Sequence, residues 1–224
     1  LGAGVALGDV VAEVEKLLAD YPAPDGVDLE VGGTVEDQGD AFGDLGTLLI
    51  LIVILVYIVM ATQFESLKFP FIIMFTIPFA FTGVFLALWM TSTPLSLIAL
   101  IGAIMLVGIV TKNGIVMVDY MNLLIERGSG VFDAVIAGGK SRLRPVLMTS
   151  FTTILGMLPL AIGTGAGSET WQPMGIAVIG GLTFSTILTL FIVPVLYSIL
   201  VNRSQRKERE KLARLSAEHQ ASKH

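Results

Sequence analysis

The chain has 224 residues, of which 54% are hydrophobic and only 15% are charged. A soluble domain usually has about 45–50% apolar and about 25% charged residues, so this composition predicts a membrane protein. The chain has no cysteine and only two histidines, His219 and His224, both in the terminal tail. This distribution argues against a disulfide framework, a thiolate or histidine metal site and a histidine-based catalytic centre. We therefore expect no bound cofactor and no metal.

The segment 1–44 differs from the rest of the chain because it is acidic and polar, with Lys16 as its single basic residue. Residues 10–18 mix apolar and charged side chains at helical spacing, and residues 27–31 alternate with a period of two. These patterns predict a short helix and a short strand. Elements this small cannot bury a core by themselves. We expect a short α/β segment that packs on protein outside it.

Five long hydrophobic runs follow this segment. Runs of about 18 or more apolar residues are long enough to cross a hydrocarbon core of about 30 Å. Each run is predicted to be an α-helix, because unpaired backbone groups in lipid are costly. The predicted spans are 45–62, 69–91, 96–122, 145–163 and 172–201. The predicted fold class is therefore an all-α membrane protein with five transmembrane helices.

The basic residues of the loops predict the orientation in the membrane. The loop between the third and fourth spans and the charged tail 202–224 are both rich in Lys and Arg. The positive-inside rule places both in the cytoplasm, and an odd number of spans then places the N-terminal segment outside. Residues 130–140 have apolar side chains at helical spacing, which favours an amphipathic helix on the inner surface over a plain solvated loop.

The third span contains a charged side chain, Lys112. A lysine near the centre of a bilayer costs about 2.5–3.5 kcal/mol on insertion scales. Snorkelling to the interface is one explanation. Asp119, about two helical turns further along on nearly the same face, and the neighbouring Asn113 favour a helix that faces protein or water instead. Because charged groups inside membranes are usually functional, a functional role for Lys112 is the stronger interpretation.

The start of the fourth span combines basic and hydroxyl side chains. Arg142 and Arg144 would lie at the headgroup level, and for Arg144 ordinary anchoring at the interface is the preferred interpretation. A hydroxyl cluster follows at Thr149, Ser150, Thr152 and Thr153. Such a cluster can bridge helices or carry a chain of water molecules. The sequence has no phosphate-binding loop, GxSxG or HExxH motif, so we do not expect an enzyme.

Several strings resemble those of resistance-nodulation-division (RND) efflux pumps. GIVTKNGIVMVDY at 108–120 resembles their Lys-Asn helix, and SRLRPVLMTSFTTILGMLPLAIGTGAGSE at 141–169 is similar to the next stretch of the hydrophobe/amphiphile exporters. ATQFESLKFPF at 61–71 and VIGGLTFSTILTLFIVPVLY at 178–197 support the match. The resemblance covers essentially the whole chain. It implies a transporter that exports drugs or other amphiphiles in exchange for protons.

The resemblance also implies roles for individual residues in proton relay. In such pumps an intramembrane lysine, matched by Lys112, pairs with two carboxylates on a helix of the other half. Thr149 matches a hydroxyl of the relay, and Arg142 matches an arginine of the proton path on the cytoplasmic side. Asp119 and Asn113 are weaker candidates for the same proton path. A nearby ammonium favours an ionised carboxylate and desolvation disfavours it, so protonation can act as the switch.

Size is the departure from the family pattern. A complete pump is several times longer and has a dozen spans and two large external loops. Segment 1–44 would then be the end of a periplasmic pore-type domain, and 45–201 the last five spans. The paired carboxylates are missing, so we expect a fragment or a split subunit that is inactive alone.

The implied setting is the bacterial inner membrane, with the N-terminus periplasmic and the C-terminus cytoplasmic. The expected partners are membrane lipid, the remainder of the pump, and in the full pump a homotrimer with a periplasmic adaptor and an outer-membrane channel. No nucleic acid partner is expected. Two alternatives remain open: a scaffold or regulatory subunit without transport, and a protein-translocation accessory of the same superfamily.

Overall fold

The computed structural model describes residues 13–14, 16–17, 34–163 and 167–221. In these ranges the chain forms helices and no strand. The main helices are α1 (Thr34–Gln63), α2 (Lys68–Met74), α3 (Thr76–Met90), α4 (Leu97–Glu126), α5 (Val131–Ile162) and α6 (Ser168–Ala221). Of the helix predicted at 10–18, residues 13–14 and 16–17 are helical, and the predicted strand at 27–31 lies outside the described residues.

Five segments are long and apolar enough to cross a membrane, which confirms the five predicted membrane helices. They are Gly39–Gln63, Lys68–Met90, Leu97–Glu126, Val131–Ile162 and Thr170–Arg203. Because consecutive spans run in opposite directions, Lys68, Arg127 and Arg203 lie at the same end of the bundle, called here the basic end. The chain is therefore a multi-pass membrane protein.

Three helices extend further than the hydrophobic runs indicate. Helix α1 begins at Thr34 and α6 continues to Ala221, beyond the apolar part of each. Helix α5 joins the segment predicted as a separate surface helix at 130–140 to the fourth span, and Pro145 lies within it. A proline removes one backbone hydrogen bond and can kink a helix without ending it. Hydropathy marks the apolar part of a helix, whereas the backbone hydrogen bonds continue into polar sequence.

The second span is divided into two helices at Phe75. Pro78 has no N–H to donate to the carbonyl of Met74, which weakens the backbone ladder here. The Thr76 hydroxyl donates to the carbonyl of the residue before Met74, Ile73, at 2.6 Å. Phe75 keeps helical torsion angles, φ −61° and ψ −17°, so α2 and α3 still form one span.

The bundle is built around α4 and α6. One cluster of buried side chains lies towards the end opposite the basic end and comprises Ala80, Val84, Leu88, Ala99, Ala103, Leu106, Val110, Ile176, Ala177 and Leu182. A second lies towards the basic end and comprises Met60, Ile72, Ile73, Met117, Val118, Met121, Val193 and Tyr197. Helices α1 and α5 bury few of their side chains. The outer faces of α1 and α5 are therefore available for contacts outside this chain.

Candidate functional site

Lys112 lies near the middle of α4. The helix extends from Leu97 to Glu126, so at 1.5 Å per residue the lysine is about 22 Å from one end and about 21 Å from the other. The helix is longer than a hydrocarbon core of about 30 Å, and a core centred on it would still leave Lys112 about 15 Å from either interface, further than its four-carbon stem reaches. Snorkelling therefore does not explain its position, and the energetic cost of the charge needs another source of compensation.

An open cleft of about 390 Å³ between α4 and α5 contains Lys112. Its lining residues are Ile109, Lys112, Asn113, Met148, Thr149, Thr152 and Thr153. We call it the Lys112 cleft. It brings together Lys112, Asn113 and Thr149, three of the residues singled out from the sequence, because α5 lies beside the middle of α4. The Lys112 side chain is exposed on this surface, whereas Asn113 is only 9% exposed.

The hydroxyl groups of the Lys112 cleft are oriented by their own helix. Thr149 donates to the carbonyl of Val146 at 2.9 Å, and Thr153 donates to the carbonyl of Thr149 at 3.0 Å. Thr152 donates to the carbonyl of Met148 at 2.8 Å. Each hydroxyl therefore retains lone pairs that can accept a hydrogen bond.

Lys112 itself has no hydrogen-bond or ion-pair partner among the described residues. An ammonium group carries three donors and a full charge, and both need partners in a medium as apolar as the membrane. The Lys112 cleft thus presents a cation together with hydroxyl acceptors, but without a counter-charge from the described part of the chain.

Asp119 lies in a different cleft. Seven residues are nearly two helical turns, so Asp119 is on almost the same face as Lys112 but about 10 Å closer to the basic end. At that depth the end of α1 and the loop after it lie alongside. The cleft there, of about 290 Å³, is lined by Gln63, Phe64, Glu65, Asp119, Asn122, Leu123 and Glu126. Within the described ranges no three His, Cys, Asp or Glu side chains are grouped to hold a metal ion.

Arg142 lies outside both clefts and packs on an aromatic ring. Its guanidinium carbon is 4.5 Å from the centre of the Tyr120 ring on α4. Its Nε atom is buried and has no hydrogen-bond partner in the described structure. Tyr120 was not singled out from the sequence, because only the packing of α4 against α5 brings the two side chains together.

Behind the Lys112 cleft, α5 is joined to α6 by a hydroxyl pair. The Ser150 and Thr186 hydroxyl oxygens are 2.9 Å apart, and both side chains are buried. Nearer the basic end, the Tyr197 hydroxyl donates to Oδ1 of Asn122 at 2.5 Å and links α6 to α4. Sequence reasoning missed Thr186 and Tyr197, because a lone Thr or Tyr in a span carries no signal of its own.

The chain is similar in sequence to several known proteins. A family model described as the AcrB/AcrD/AcrF family matches residues 1–201. The chain is 37% identical over 199 residues to swarming motility protein SwrC of Bacillus subtilis, covering 88% of this chain and 19% of that protein. It is 37% identical over 206 residues to cobalt-zinc-cadmium resistance protein CzcA of Cupriavidus metallidurans, covering 92% of this chain and 19% of that protein. It is also 37% identical over 207 residues to multidrug resistance protein MdtC of Erwinia tasmaniensis, covering 92% of this chain and 20% of that protein.

A solved structure also matches the bundle. The crystal structure of a heavy metal efflux pump superposes with a TM-score of 0.76 at 29% identity, covering 89% of this chain and 20% of that one. The chain therefore spans about a fifth of the length of the relatives it matches. The family match over 1–201, together with these relatives, confirms the resemblance found in the motifs. The chain belongs to the AcrB/AcrD/AcrF family of RND efflux pumps.

Proposed function

We propose that this chain forms part of the transmembrane domain of a proton-driven exporter of drugs or other amphiphiles in the bacterial inner membrane. In this proposal Lys112 is the counter-charge of carboxylates on a helix outside the chain. The observation that carries the proposal is an exposed lysine in the middle of a membrane helix, without a partner among the described residues.

The energetics favour a partner of opposite charge. Leaving Lys112 facing lipid would cost about 2.5–3.5 kcal/mol, and hydroxyl acceptors supply hydrogen bonds but no charge. A carboxylate placed in the Lys112 cleft offsets that cost as long as it is ionised. Protonation of the carboxylate removes its charge and breaks the ion pair. Lys112 then has the hydroxyl groups of α5 as its remaining hydrogen-bond acceptors. Proton binding is thereby coupled to the relative position of two helices.

Four residues other than Lys112 take part in the relay in this proposal. Thr149 lines the Lys112 cleft with its hydroxyl lone pairs available, and Asn113 lies beside the lysine, buried at the wall of the same cleft. Arg142 lies nearer the basic end, where protons would leave to the cytoplasm. Asp119 stands in its own cleft and would act as an acidic group at the exit from the path rather than as a partner of Lys112.

The substrate and the assembly belong to the proposal too, because the chain spans about a fifth of its relatives. The multidrug resistance name of MdtC supports amphiphile export. The names of CzcA and of the structurally similar heavy metal efflux pump favour metal cations as a second candidate class. In either case the working unit would be a homotrimer with a periplasmic adaptor and an outer-membrane channel.

The test is transport by the assembled pump in everted membrane vesicles. Uptake of ethidium and of Zn²⁺ would be measured separately under an imposed proton gradient. We expect Lys112→Met to abolish uptake of the transported probe at unchanged protein level. Lys112→Arg should retain part of it, because the charge stays in the cleft.

The matched control is Lys140→Met, which removes an exposed lysine outside the Lys112 cleft and should leave uptake unchanged. Undiminished uptake by Lys112→Met would refute the role of Lys112. Uptake of neither probe by the unaltered pump, at normal assembly, would favour the scaffold alternative.

A further inference from the structure

Helices α4 and α5 approach closely near the basic end. A Cβ atom added to Gly138 on α5 would lie 2.6 Å from Cγ of Met121 on α4, so this position leaves no space for a side chain. The backbones are therefore held together at this level. Close approach at a small residue is a common way for membrane helices to pack.

This crossing places Arg142 over Tyr120. Arg142 lies four residues after Gly138 and therefore on the same face of α5, while Tyr120 is the neighbour of Met121 on α4. The guanidinium carbon is 4.5 Å from the ring centre, within the range of about 6 Å in which a cation is attracted to an aromatic face.

Part of the Arg142 guanidinium is removed from water in this position. Nε of Arg142 is buried and has no hydrogen-bond partner in the described structure. An arginine that only anchors a helix at the interface extends its guanidinium towards water and phosphate groups. Here the guanidinium carbon lies over the ring, and the attraction to the ring offsets part of the lost hydration.

We propose that Tyr120 is a positioning residue that holds the Arg142 guanidinium at the basic end of the α4–α5 interface, in the orientation that proton transfer requires. The inference rests on the proposed role of Arg142 in the proton path. The group that positions Arg142 is the aromatic ring of Tyr120, not its hydroxyl. The Tyr120 hydroxyl has no hydrogen-bond partner among the described residues, and a phenyl ring presents the same face to the cation.

The experiment compares three variants of the assembled pump: Tyr120→Phe, Tyr120→Met and Arg142→Gln. Uptake of the transported probe, ethidium or Zn²⁺, is measured in everted vesicles and divided by the amount of assembled pump found by size-exclusion chromatography. Met is apolar and of similar length to Phe but has no aromatic face. We expect Tyr120→Phe to transport at the unaltered rate and Tyr120→Met to be about 2- to 30-fold slower, the factor that corresponds to a cation–π contact.

The outcomes separate this inference from the proposal beneath it. A loss in Arg142→Gln and Tyr120→Met, with a normal rate in Tyr120→Phe, supports the positioning role. A normal rate in Tyr120→Met beside a loss in Arg142→Gln overturns the positioning role and leaves the role of Arg142 intact. An equal loss in Tyr120→Phe and Tyr120→Met also overturns it, because the hydroxyl would then be the group required. A normal rate in Arg142→Gln overturns both.

Discussion

The crossing of α3 and α6 leaves no room for an added methyl group, which gives a sharp test of how the bundle packs. A Cβ atom on Gly180 would overlap Cβ of Ala87 and lie 2.9 Å from the carbonyl oxygen of Gly83. The second contact is with backbone, which cannot rotate away as a side chain can. Overpacking of this kind costs about 1–3 kcal/mol. At about 1.4 kcal/mol per factor of ten, Gly180→Ala should shift the folding equilibrium roughly 5- to 150-fold towards unfolding.

The matched control is Gly156→Ala on α5, where an added Cβ would meet nothing within 4 Å. Both variants would be purified in the same detergent, heated, and assayed for the monodisperse fraction by size-exclusion chromatography. We expect Gly180→Ala to melt at a clearly lower temperature than the unaltered chain. Gly156→Ala should melt at the same temperature as the unaltered chain or slightly higher, because alanine is more favourable than glycine inside a helix by roughly 0.5–1 kcal/mol. Equal melting temperatures for the two variants would refute the close packing of α3 on α6.

Two further predictions test the surroundings of the Lys112 cleft. Ser150→Ala leaves the buried Thr186 hydroxyl without its partner on α5. In the same melting assay it should destabilise the chain by about 0.6 kcal/mol, the average for such bonds between membrane helices, and by no more than about 1.7 kcal/mol. An unchanged melting temperature would contradict a contribution from this bond. Since the chain has no cysteine, Thr152→Cys and Ser185→Cys give single labelling sites. N-ethylmaleimide should label the first, which lines the open cleft, and spare the second, which is 1% exposed. If Thr152→Cys were spared as completely as Ser185→Cys, the cleft would not be open to the reagent.

Much of the fold could be predicted from hydropathy, because burial in lipid demands long apolar helices whatever their neighbours are. The five spans were found for this reason. Their true ends were not, because α5 continues through the polar stretch around Pro145 and α1 begins at Thr34. The break at Phe75 was also not predicted. Pro78 indicates that the helix is interrupted nearby, but where it breaks depends on which hydrogen-bond donors and acceptors around the proline pair with each other.

For the site, the sequence by itself determined which residues are out of place. Lys112 was recognisable because a charge in an apolar run carries an energetic cost, and the nearby Thr149 stood out through its hydroxyl cluster. The tertiary structure decided which of these share a space. It placed Lys112, Asn113 and Thr149 in one cleft and Asp119 in another, because contact across helices depends on depth and rotation. It also showed Tyr120 beneath Arg142, a pairing that no spacing along the chain could reveal.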